Sequence, residues 1–61
     1  MIRVLHVVPV GEQWGVRQEG AAHPRCVTES SAGAAFVGSC LAQAIGGKVV
    51  IHDRAGRVRR P

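Results

Sequence analysis

Ser30 to Gly47 runs for 18 residues without one charged side chain. A run this apolar must either pack against something or cross a membrane. It holds four Gly, three Ser and one Gln and stands at the short limit of spanning length, so a packed helix is the better expectation. Ser30 is a suitable N-cap, the helix is expected over Ser31 to Ile45, and Gly46-Gly47 supplies a left-handed stop. Ala34, Val37, Gly38, Leu41, Ala42 and Ile45 recur at the spacing of one helical face and form the inward stripe. The outer side carries Phe36, Cys40 and Ala44, with Ser39 and Gln43 as polar neighbours. Gly33 and Gly38 each weaken a helix interior by about 0.8–1 kcal/mol relative to Ala. Such a helix depends on tertiary or quaternary burial to persist.

Strands are expected on both sides of it. Ile2 to Val10 is rich in β-branched residues, with Val4, His6 and Val8 on one face and Arg3, Leu5 and Val7 on the other. Pro9 has no N–H to give a ladder and marks a strand end or an edge. Gly11-Glu12-Gln13 reads as a turn, and Trp14 to Glu19 as a second strand in a hairpin with the first, with Trp14, Val16 and Gln18 on one face. Gly20 to Glu29 reads as a loop, in which Val27 is a candidate short edge segment. Lys48 to His52 is a third strand, apolar on both faces over Val49-Val50-Ile51 and therefore central. Asp53-Arg54-Ala55-Gly56 turns the chain, and Arg57 to Arg59 forms a charged edge strand with Val58 toward the core. Arg60 and Pro61 are expected to fray.

The expected fold class is α+β: a single domain over residues 1–61, β-β-α-β-β. One helix packs on one face of a four-stranded, mainly antiparallel sheet. The expected strand order is 14–19, 2–10, 48–52, 57–59.

Size and charge restrict function only loosely. Sixty-one residues make one domain whose core is built from Val, Ile, Leu and Ala, because there is one Trp, one Phe and no Tyr. A domain this small is marginal alone, which favours a partner chain. The net charge is +4, with eight Lys and Arg against four Asp and Glu, so phosphate contacts are possible. Two cysteines, Cys26 and Cys40, are too few for a secreted disulfide framework and read as reduced thiols in a cytoplasmic protein, Cys40 as a small hydrophobe. No signal-peptide pattern is present at the N-terminus.

Several segments together resemble a known family. They are His6-Val7-Val8-Pro9, Trp14-x-Val16, Glu19-Gly20, Gly46-Gly47, and Val50-Ile51-His52-x-Arg54-x-Gly56-Arg57-Val58-Arg59. This pattern is similar to the bacterial domain-of-unknown-function 2188 family. The resemblance implies a strand–strand–helix–strand–strand domain and implies no reaction. Family members resemble one another in a charged helix opened by Thr with Glu three positions on. Here Ser30 and Gly33 hold those positions, so the reciprocal cap is missing.

Chemical candidates are few. His6 and His52 fall in strands that can be neighbours, so their imidazoles could face each other. Two His are short of a Zn²⁺ site, and a structural, hydrogen-bonded role is expected. Cys26 beside Arg25, with His23 near, lacks the full set of nucleophile, base and orienter. Glu12, Glu19, Glu29 and Asp53 are scattered and show no acid–base pairing. Gly11, Gly15 and Gly20 make no phosphate loop, since no helix and Lys follow.

Arg54, Arg57, Arg59 and Arg60 form the dense basic cluster. They read either as an edge guarded by charge or as a phosphate-contacting ribbon, joined by Arg3, Arg17 or Lys48. Stacking aromatics for single-stranded nucleic acid are missing.

The expectation is therefore a non-enzymatic interaction module with no cofactor and no metal. It self-associates, as a homodimer or with another protein partner, through Phe36, Cys40 and Ala44. A small nucleic-acid-binding protein using the Arg-rich hairpin is the alternative. No membrane association is expected.

Overall fold

In the computed structural model, residues 3–59 are described. Strand β1 (Val4–Val10) turns through Gly11, at φ 61°, into β2 (Gln13–Gln18). A short β3 (Cys26–Thr28) follows, then α1 (Ser31–Ile45), β4 (Lys48–His52) and β5 (Val58–Arg59). The sheet has the order β3-β2-β1-β4-β5, with β1 and β4 parallel and the other three pairs antiparallel. The class is α+β, and the relative order of the four expected strands stands.

The addition is β3. Residues expected as loop fold back onto β2, pairing Trp14 with Thr28 and Val16 with Cys26. Arg25 N–H donates to Val16 O at 2.7 Å and starts the pairing. Gly15 makes the approach possible, because a Cβ there would stand 2.8 Å from Val10 Cγ2 and 3.1 Å from Pro24 Cβ. Pro9 lies inside β1, in a stretch beyond the β1–β4 pairing, which ends at Val7. Its missing N–H is thus tolerated as at an edge.

The helix has the predicted ends. Ser30 Oγ accepts from Gly33 N–H at 3.0 Å, and Gly46 takes φ 69°. Gly47 N–H donates to Ala42 O at 2.8 Å, closing the last turn. Gly47 also lies so close to the start of β1 that any Cβ there would collide with the Arg3 carbonyl oxygen. That closeness lets Lys48 N–H donate to Arg3 O at 2.8 Å and sets the register of β4 against β1.

The inward stripe packs as expected. Ala34, Gly38 and Ala42 are buried, with Val37, Leu41 and Ile45 partly buried beside them. They cover Leu5, Val7 and Val16, which have no exposed surface, and Trp14. Gly38 brings the helix backbone close over Val7 and Val49. Beyond the helix, Val58 departs from expectation. The chain needs residues 53 to 57 to turn, and Asp53 Oδ1 accepts from both Ala55 N–H and Arg57 N–H at 2.9 Å. This places Val58 opposite His52, on the face away from the helix, where it is 60% exposed rather than in the core.

Candidate functional site

Alternation along β1 sends Leu5 and Val7 under the helix and His6 to the opposite, uncovered face. Parallel pairing with β4 puts Val49 and Ile51 under the helix and His52 beside His6. His6 Nδ1 and His52 Nε2 stand 3.0 Å apart, with ring centroids at 5.2 Å and planes tilted by 40°. On its other side, His6 Nε2 stands 3.2 Å from Glu19 Oε1. A carboxylate only accepts, so His6 Nε2–H donates to Glu19, and when both rings are neutral His6 Nδ1 accepts from His52 Nε2–H. The result is a chain of three side chains, from Glu19 just after β2 through His6 in β1 to His52 in β4. The facing histidines follow the expectation from sequence. From sequence Glu19 is a scattered acid, and the structure gives it a partner in His6.

Next to His6 in the register lies Arg17, whose guanidinium donates to Ala21 O at 3.1 Å and holds the loop after β2. Among the described residues no group of three or more His, Cys, Asp or Glu side chains gathers as metal ligands. Cys26 is half-buried and Cys40 exposed, both as free thiols. The exposure of Cys40 departs from the expectation that it packs as a small hydrophobe, because the buried positions of α1 are Ala34, Gly38 and Ala42, on the other side of the helix.

The basic cluster does not act as one patch. Arg54 reaches from the β4–β5 turn to the β1–β2 turn, donating to Gly11 O at 3.1 Å and to Glu12 O at 3.0 Å. Its guanidinium carbon lies 5.1 Å from the Trp14 ring centroid, a cation–π contact that closes one end of the core. Arg57 is exposed, Arg59 is placed in β5 by its backbone, and Arg60 lies outside the described residues.

The outer side of α1 is turned away from the sheet. Phe36 is 72% exposed, and Cys40 and Ala44 follow at one-turn intervals, also exposed. The helix has no acidic residue in its first turn and no basic residue in its last. No helix among the described residues is long and apolar enough to cross a membrane.

Comparison with known proteins agrees with the resemblance seen in the segments around His6 and His52. No curated protein matches the chain. No solved structure matches it either. A family model described as an uncharacterized protein conserved in bacteria (DUF2188) matches residues 5–61, including the strands that hold the histidine pair and the turn that holds Arg54. The chain therefore belongs to the DUF2188 family of bacterial proteins.

Proposed function

We propose that this protein is a non-enzymatic interaction module that pairs with a second copy of itself through the outer side of α1. The observation that carries the proposal is Phe36, 72% exposed in a helix without charge. An aromatic side chain on a stripe without charge supplies the kind of apolar surface that interfaces use as an anchor. A second copy is the occupant that fits best. The stripe offers no charge by which a charged partner would be selected, and Ala44 and Cys40 are small enough for two such helices to approach closely. The core also gains from a second layer, since its fully buried side chains are Leu5, Val7 and Val16.

The helix is about 22 Å long at 1.5 Å per residue, so the contact is smaller than a standard interface of about 800 Å² per partner. Association is accordingly expected at micromolar concentration. Sedimentation there should show a dimer that Phe36→Glu converts to a folded monomer. Mild oxidation should link two chains through Cys40, with Cys40→Ser abolishing the link and Cys26→Ser leaving it. A wild-type chain that sediments as a 6.4 kDa monomer throughout the micromolar range would refute the proposal.

The alternative, duplex nucleic acid on the Arg-rich hairpin, draws support from the exposed Arg57 beside Arg59. Engagement of Arg54 by the β1–β2 turn narrows that patch. Retention on duplex DNA at low salt, with a salt dependence reduced by Arg57→Ala, would favour it.

A further inference from the structure

On the uncovered face of the sheet, two imidazole nitrogens face each other with a carboxylate behind one of them. With His6 neutral, donation of its Nε2–H to Glu19 leaves the lone pair of Nδ1 directed at His52. Metal-ligating imidazoles almost always give their other N–H to a carboxylate or carbonyl, which fixes the tautomer and strengthens the donor. Two nitrogens bound to one tetrahedral Zn²⁺ at 2.0–2.1 Å stand roughly 3.3 Å apart. His6 Nδ1 and His52 Nε2 already stand 3.0 Å apart, on two strands whose pairing holds them in place.

We infer that His6 Nδ1 and His52 Nε2 form a two-imidazole site for a divalent transition ion, with Glu19 as the carboxylate behind His6. The ion takes the place of the proton between the rings, and His52 then carries its own proton on Nδ1. No electrons are transferred. Imidazole donors select Zn²⁺, Cu²⁺ or Ni²⁺ over Mg²⁺ and Ca²⁺, which take oxygen ligands. Among the described residues no third side chain joins the pair, so the remaining positions belong to water or to an incoming ligand. Such a site holds an exchangeable ion, unlike a structural zinc closed by four protein ligands. It lies on the opposite side of the sheet from α1 and is independent of self-association.

Calorimetric titration of tag-free, reduced protein with Zn²⁺ tests this, alongside a Cys26→Ser, Cys40→Ser variant in which thiols cannot compete. One ion per chain with a micromolar dissociation constant is expected in that variant. In the same background His52→Ala should weaken binding at least tenfold. Glu19→Gln, a positioning change, should weaken it roughly tenfold or more without altering the circular dichroism spectrum. His23→Ala, in the exposed loop, should leave it unchanged. Nitrogen NMR of the wild-type rings should show His6 Nδ1 and His52 Nε2 shifting on Zn²⁺ addition, and this reading needs no substitution to fold. Absence of both heat and ring shifts at millimolar Zn²⁺ overturns the inference. So does loss of binding in His23→Ala while His52→Ala binds normally.

Discussion

The face of the sheet beneath α1 and the face turned away from it use the same strands and are held by different forces. Beneath the helix, Leu5, Val7 and Val16 are wholly buried, and no buried polar or charged residue accompanies them among the described residues. On the other face the strands carry half-buried valines and a polar chain from Glu19 through His6 to His52. Burial of apolar surface is nondirectional and scales with area. Hydrogen bonds at a half-wet surface add little net energy but fix geometry. The covered face should therefore hold most of the stability, and the open face the specific chemistry.

The strongest test of that division is Leu5→Ala, expected to lower unfolding free energy by about 2–5 kcal/mol. Urea denaturation measures it, and a loss below about 1 kcal/mol would mean that the covered face is not the main source of stability. Gly47→Ala comes next. Its Cβ would strike the Arg3 carbonyl and disturb the bond from Lys48 N–H, lowering stability by about 2 kcal/mol or more, within the range of severe single substitutions. On the open face, His52→Ala removes one partly exposed link and should lower stability by only about 1 kcal/mol. A drop as large as that of Leu5→Ala would erase the contrast between the faces. The smallest effect has the opposite sign. A Cβ at Gly38 would stand 3.5 Å from Val7 Cγ2 and 3.6 Å from Val49 Cγ1, ordinary contact distances. Gly38→Ala should raise the thermal midpoint, adding up to about 0.8 kcal/mol through helix propensity.

The same contrast explains which parts of the molecule were legible in the sequence. The ends of α1 are written locally, in Ser30 and Gly46-Gly47, and its buried stripe follows from one period. The central positions of β1 and β4 followed from apolar runs whose meaning does not depend on a particular neighbour. Features fixed by distant partners were harder to read. Cys26-Val27-Thr28 is too short to show a period, and it becomes a strand because Gly15 admits the chain to β2. Val58 looked like a core residue, but its side is decided by the Asp53 side chain through the length of the turn. Arg54 belonged by composition to a basic cluster, although its partners, Gly11 and Glu12, lie at the far end of the chain. In the candidate site the two histidines could be paired from strand order alone. Glu19 could not, because its diagonal place beside His6 follows from the β1–β2 register, which the length of the turn at Gly11 and Glu12 decides.

The parallel alignment of β1 with β4 has a consequence for how the molecule is made. During synthesis β1 can close its hairpin with β2 as soon as both have emerged. Its other edge must wait until β3, the whole helix and β4 have followed. Until then the chain carries an unpaired strand edge, lined on one side by Leu5 and Val7, of the kind that recruits foreign strands. The two-residue helix stop at Gly46-Gly47 keeps that interval short, since β4 begins at once when the helix ends and needs no further loop to find its place.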